Sequence, residues 1–281
     1  MSSLRLSFVY CWVLLLYSTS AFAQVGLDDF GYPQLTKEEA VSVLDRFRSS
    51  RIPGDYCLKF KITHKPRQGE SSKPIEGVLW ASWVNGGPLI RVEMKDAIGT
   101  SYLAFIGIKN SALNQSWIAR DKQPVTSLKG NEMAQSIAED LIICPFDLIM
   151  PYTHWADTRY VATERSRGRA VHYFESTNPE PQALPTKVVF GIDRSYQALT
   201  EAKYHDTENK VSQNFTINDF AKVDEQWMIN TCDLRDEKTR NIDSLKITEA
   251  AFRLELDPQI FNPENLSTPA PLPPATLFKS L

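Results

Sequence analysis

The stretch Tyr56-Cys57-Leu58-Lys59-Phe60-Lys61-Ile62-Thr63-His64 decides the fold. Tyr56, Leu58, Phe60, Ile62 and His64 alternate with Cys57, Lys59, Lys61 and Thr63. A period of two predicts a strand with one buried and one wet face. Downstream, Val78, Trp80, Ser82 and Val84 repeat the pattern, as do Ile90, Val92 and Met94 against Arg91, Glu93 and Lys95. Asn85-Gly86-Gly87-Pro88 between those two runs signals a hairpin. Further strands read at 101–108, 115–120, 159–163, 170–176, 187–193, 196–205, 211–220, 226–233 and 244–256. Short, regularly spaced strands joined by turn residues predict an antiparallel meander of about ten or eleven strands.

Two stretches break the period. Upstream, Thr36 and Glu39 form a capping box, Leu35 can staple Ala40, and Ala40, Val43, Leu44 and Phe47 share one helical face ending near Ser50. In the middle, residues 131–152 hold Met133, Ile137 and Leu141, which predict a short helix, and a strongly apolar element from Pro145 to Pro151. A sheet this long must close, split into a sandwich, or curl partway and be covered. The two helical stretches favour the last: a mainly β, α+β fold whose long antiparallel sheet curls into an incomplete barrel lidded by helices.

Residues 1–23 read as a cleaved secretory signal peptide, with Arg5 in a polar start, an apolar run from Phe8 to Tyr17 and Ala21-Phe22-Ala23 before Gln24. The run is too short for a spanning helix, and Phe8-Val9-Tyr10 ahead of Cys11 does not suit lipid attachment. The expected location is therefore outside the cytoplasm. The division expected is a leader at 1–23, one domain at 24–266, and a tail at 267–281 that Pro269, Pro271, Pro273 and Pro274 keep extended or disordered. With 31 basic and 34 acidic residues, a net charge of −3, the chain offers no footprint for nucleic acid or an anionic membrane surface. Cys57, Cys144 and Cys232 remain after cleavage, so either one bridge and a free thiol or three buried thiols are open.

Catalytic and metal signatures are missing. His64, His154, His172 and His205 are far apart, without HxH or HExxH spacing for zinc. No serine lies in a GxSxG elbow, and there is no phosphate-binding loop. The expectation is a protein without catalytic residues, metal or cofactor.

The segment Cys144-Pro145-Phe146-Asp147-Leu148-Ile149-Met150-Pro151-Tyr152, then Trp155-Ala156-Asp157, the strand pair around Arg167-Gly168-Arg169, the Glu201-Ala202-Lys203-Tyr204 strand, Trp227, and the close at Leu256-Asp257-Pro258-Gln259-Ile260-Phe261 with Leu266 together resemble the LolA-like, outer-membrane lipoprotein-sorting family of bacterial envelope proteins. The resemblance spans most of 56–266. It implies an incomplete antiparallel barrel covered by helices, whose apolar interior holds acyl chains of a lipoprotein or other lipid crossing the periplasm. Carriers of this kind use an arginine inside the cavity to control the lid. Arg91 is the residue to consider, yet its parity points away from Ile90 and Val92.

The candidate lipid-binding face is therefore Leu58, Phe60, Ile62, Val78, Trp80, Ile90, Val92 and Met94, and the candidate lid is Phe146, Leu148, Ile149 and Met150 between Pro145 and Pro151. A face of this kind solvates an acyl chain at about 0.8 kcal/mol per buried methylene. The same residues would equally pack a filled core. In that case the fold serves as a periplasmic sensor or interaction module that meets an envelope protein partner through a sheet edge.

Overall fold

In the computed structural model, described for residues 31–84, 87–95, 101–107, 115–120, 123–138 and 141–281, the chain builds one fourteen-stranded antiparallel sheet. The leader, Cys11 and the Asn85-Gly86 part of the predicted hairpin turn lie outside the described residues. Helix α1 (Lys37–Ser49) precedes strands β1 (Asp55–Lys65), β2 (Ile75–Val84), β3 (Gly87–Lys95), β4 (Ser101–Gly107), β5 (Gln115–Arg120) and β6 (Thr126–Leu128). A crossover carrying the one-turn helix α2 (Pro145–Ile149) leads to β7 (Thr158–Ser166), β8 (Arg169–Thr177), β9 (Lys187–Asp193), β10 (Leu199–His205), β11 (Val211–Val223), β12 (Gln226–Asp236) and β13 (Ile242–Leu254). A two-residue strand, β14 (Lys279–Ser280), follows late in the chain. The segments read in the sequence coincide with twelve of these strands, so the sheet is longer than the ten or eleven strands expected. β6 and β14, at three and two residues, are too short to show a period.

The topology has one feature that positions everything else. The order is β6-β5-β4-β3-β2-β1-β13-β12-β11-β10-β9-β8-β7, with β14 beside β13, so the sheet is open and its two edges are the consecutive strands β6 and β7. The first half winds outward from β1 and the second returns inward to pair β13 with β1. Residues 129–157 must therefore cross from one edge to the other. With strands about 4.8 Å apart, a flat sheet of this width would measure roughly 58 Å. Twist and curl shorten that span, and the crossover lies over the concave face.

Cross-strand pairing identifies the face of each residue. Leu58 pairs with Leu79 and Ala250, Phe60 with Gly77 and Ile247, Ile62 with Ile75 and Leu245; Val92 and Met94 continue these rows on β3. On the other side of β13 the rows run through Cys232, Ile217, Ala202, Phe190 and Phe174. All of these except half-buried Leu79 and Leu245, and Gly77, are buried members of one apolar core. Gly77 is required there: a Cβ on it would lie 2.2 Å from Phe60 Cζ, so its absence gives the Phe60 ring its place.

Helix α1 forms as predicted. The Thr36 hydroxyl accepts from Glu39 N, and the Glu39 carboxylate accepts from Thr36 N at 2.8 Å. Ala40, Val43 and Leu44 bury into the core, and Phe47 lies 6.3 Å from Phe190. Just ahead of the helix, the Gln34 amide bonds both Thr163 N and Thr163 O, occupying backbone groups of edge strand β7. Such covering of an edge limits pairing with other chains.

The convex face carries a second apolar cluster over β1, β2, β3 and β5, built from Cys57, Trp80, Ala119, Ile260, Phe261 and Leu266. Val78 packs against it. Residues 256–278 lie over this face. The late segment expected to be extended or disordered is extended and docked: Trp80 Nε1 donates to Pro271 O at 3.2 Å, and Ala270 N donates to Glu93 Oε1 at 2.7 Å. Cys57, Cys144 and Cys232 are free and buried. That is the reading of three small apolar side chains rather than a bridge.

Candidate functional site

The crossover is apolar side chains hung on a few polar contacts. The Arg120 guanidinium, on β5, donates to Ile137 O at 2.5 Å and to Ser136 O at 3.4 Å. Asp243, a fully buried carboxylate on β13, accepts from Ile142 N at 2.6 Å and Ile143 N at 2.8 Å. Its other oxygen meets His64 Nδ1 at 2.6 Å. Arg48, at the end of α1, donates to Thr153 O at 2.7 Å and to Trp155 O at 2.8 Å. Three ionic side chains from three elements thus hold the backbone at its start, middle and end. Hydrogen bonds to charged groups stabilise by about 1.5–3 kcal/mol each.

Between these points the segment inserts rings into the concave face. Phe146 stands 5.4 Å from Tyr204 in an edge contact, 5.9 Å from Tyr152 and 5.9 Å from Trp155. Tyr152 lies 5.5 Å from Phe190. Of the predicted lid, Phe146 and Ile149 are buried, while Leu148 and Met150 are half-buried against the same core. Met150 adopts the left-handed conformation (φ 54°) that ends α2 before Pro151. The predicted short helix upstream is a 3-10 turn at Gly130–Ala134; Met133, Ile137 and Leu141 are all buried, but not on one helix.

Beneath the rings is a buried polar group. Asp147 Oδ2 accepts from Cys144 N at 2.8 Å and from the Cys144 thiol at 2.9 Å. Asp147 Oδ1 and the Tyr152 and Tyr204 hydroxyls complete no well-formed hydrogen bond. Burial pushes the Asp147 carboxyl up to about 6, against the pull of its Cys144 and Tyr204 neighbours. The Cys144 thiol is pushed well above its usual range by burial and by Asp147, so it is a poor nucleophile. Nearby, burial lowers His154 to about 4; its Nδ1 is 2.9 Å from Thr153 Oγ1, whose hydroxyl donates to Met150 O. Among the described residues no three His, Cys, Asp or Glu side chains gather to hold a metal, and no helix is long and apolar enough to cross a membrane.

Leu58, Phe60, Ile62, Ile90, Val92 and Met94 all face the concave core. Val78 and Trp80 do not, which corrects the predicted face: they pair with Lys59 and Cys57 and point to the convex side. Arg91 is on that side too, as its parity predicts. It is 1% exposed and donates to Ile260 O at 2.9 Å, Asn265 O at 3.4 Å, Thr268 O and Glu93. It fastens the 256–281 segment. Two arginines touch the crossover, Arg120 and Arg48; neither they nor Asp243 were legible in the sequence, because nothing local marks them.

Among the described residues the concave face packs against the crossover as one apolar core. Two small recesses accompany it: one of about 30 Å³ at Met133, Phe146, Trp155 and Leu184, and one of about 40 Å³ at Ile52, Pro53, Phe252 and Arg253. Ligand sites usually measure roughly 300–1,000 Å³. Among the described residues the crossover, through Phe146, Ile149 and Tyr152, occupies the place where the open apolar cavity was expected.

A family profile described as an uncharacterized protein matches residues 146–268. No curated protein sequence matches. Among solved structures, a domain from Vibrio parahaemolyticus provisionally described as an outer membrane lipoprotein-sorting protein is similar at a TM-score of 0.71, 16% identity, 83% of this chain and 100% of that one. A DUF1329 family protein from Desulfovibrio piger gives 0.68, 12% identity, and 82% and 98% coverage. A LolA superfamily protein from Nitrosomonas europaea gives 0.58, 13% identity, and 79% and 97% coverage.

Proposed function

The chain has a LolA-like fold, and from that premise we propose that it is an acyl-chain carrier of the bacterial periplasm, with its binding face closed by its own crossover. One observation carries the reading. The interior is occupied by a segment, not by the sheet's own side chains alone, and that segment sets Asp147 Oδ1 and the Tyr152 hydroxyl against the Tyr204 hydroxyl of β10 in the apolar centre, where none completes a well-formed hydrogen bond. A buried polar group with no partner at all costs about 1–3 kcal/mol, and an imperfect contact among these three recovers only part of that. A plug assembled this way is the part of the core most readily exchanged for hydrocarbon.

In this reading Leu58, Phe60, Ile62, Ile90, Val92 and Met94 line the face that an acyl chain of a lipoprotein or other lipid covers, and Phe146, Leu148, Ile149 and Met150 move aside. The signal peptide read at 1–23 supplies the location. The neighbour from Vibrio parahaemolyticus, named for lipoprotein sorting, is in keeping with such a role. Delipidated protein should bind a fluorescent fatty acid or a lipopeptide. An absence of binding at tens of micromolar ligand would contradict the carrier.

The filled interior favours a second reading, the same fold as a sensor or interaction module with no cargo. Its crossover would be permanent core, and neither fatty acid nor lipopeptide would loosen it.

A further inference from the structure

Strands β12 and β13 part company halfway. Their pairing runs only from Thr231 with Lys246 to Arg235 with Ile242, although β12 begins at Gln226 and β13 continues to Leu254. Beyond the fork β12 stays with β11 and β13 stays with β1. The opening is partly filled by residues 278–281: Lys279 pairs with Ala250, Ser280 with Glu249, and Leu281 N donates to Thr248 O at 3.0 Å. Side chains alternate across it. Phe278 joins the convex cluster, with the Lys59 ammonium 4.3 Å from its ring centroid, while Leu281 packs against the concave core.

We propose that this fork is a strand-accepting site for an extended segment of a partner polypeptide carrying an aromatic residue and, three positions later, an aliphatic one, and that residues 278–281 occupy it in cis. The occupant defines the chemistry. Antiparallel backbone pairing gives affinity, the Lys59 side chain, held by Glu249 at 2.7 Å, covers the aromatic ring, and the fork takes the aliphatic side chain. The occupant is also short. Lys279 and Ser280 are exposed, and residues 275–277 turn away as a 3-10 turn. Ala251 and Phe252 therefore have no strand partner on that edge among the described strands. A longer strand would continue past Ala250 toward the recess at Ile52, Pro53 and Phe252 and gain pairing that residues 278–281 do not make. The connection, held on the convex face through Thr268, Ala270 and Pro271, presents the occupant to the fork from within the same chain, where it competes intramolecularly with a free segment.

Segment binding at the fork requires no acyl chain. Its test is a labelled peptide with the sequence of residues 275–281, Ala-Thr-Leu-Phe-Lys-Ser-Leu, titrated by fluorescence anisotropy against the full chain and against a Phe278→Ala/Leu281→Asp variant. The variant is expected to bind at least tenfold more tightly than the wild type. A peptide carrying the same two substitutions is expected not to bind. Hydrogen exchange at Thr248, Glu249 and Ala250 should quicken in the variant and slow again with the native peptide. Should the double variant not fold, a chain shortened to end at Leu277 replaces it. Equal binding by wild type and variant, equal binding of both peptides, or no binding up to about 1 mM would overturn the proposal.

Discussion

Replacing Phe146 by alanine separates a displaceable plug from ordinary core. The ring is 4% exposed and makes three aromatic contacts between 5.4 and 5.9 Å, with Tyr204, Tyr152 and Trp155. Truncating such a phenylalanine costs about 3–5 kcal/mol in the packed state. If an open state exists in which the crossover has left the concave face, Phe146 is solvated there, and the substitution leaves the open state nearly unchanged. The gap between closed and open states then shrinks by about 3 kcal/mol or more, and the fraction competent to bind rises accordingly. At 1.4 kcal/mol per decade that is on the order of a 100-fold gain in apparent fatty-acid affinity, until opening is complete. The assay pairs a fatty-acid titration with urea unfolding. Lower stability with binding unchanged, weaker or absent would refute the reasoning, because the ring would then be core and nothing more.

Arg91→Met leaves the backbone carbonyls of Ile260, Asn265 and Thr268 and the Glu93 carboxylate without their donor. It should cost about 3–5 kcal/mol and open residues 256–281 to limited proteolysis, with fatty-acid affinity within about threefold because the concave face is remote. Loss of affinity with no new cleavage would place Arg91 in the binding site after all. Asp147→Asn tests the buried carboxyl. Its folded pKa of about 6 lies above the ordinary 3.8, so the folded state holds the extra proton and wild-type stability falls as pH rises from about 4 to 6. Two units correspond to about 3 kcal/mol. His154, lowered to about 4, has the opposite slope over the same window, so the test is the difference in melting temperature between wild type and variant as a function of pH. A difference that does not change with pH would show that the carboxyl titrates normally. Gly77→Ala should cost about 1–3 kcal/mol by overpacking against the Phe60 ring. Phe60→Leu in the same chain should recover part of that loss in urea unfolding, and no recovery would mean the contact is not the cause.

Strand alternation made β1 legible because Lys59 and Lys61 contrast with Phe60 and Ile62. It misled at β2, where both faces are apolar: Ile75, Leu79 and Ala81 face the concave core, while Val78 and Trp80 meet residues 256–281. Parity within a strand carries no information about which face its neighbour shares when the connecting loop, residues 66–74, does not fix the register. Thr36 and Glu39 disclosed α1 because a capping box is local. Nothing local could disclose that β6 and β7 are opposite edges, and so the depth at which Phe146 and Tyr152 sit was hidden. The prolines at 269, 271, 273 and 274 foretold an extended backbone, but docking depends on Trp80 and Arg91, nearly two hundred residues away in sequence.

A carrier of this build requires that the crossover leave the concave face when hydrocarbon enters. Hydrogen exchange at Ile142 and Ile143, whose amides Asp243 accepts, and across residues 144–153 reads this directly with and without saturating fatty acid. Faster exchange is expected there with ligand bound while β1 and β13 remain protected; unchanged or slower exchange of that segment in the saturated protein would rule out a displaceable crossover.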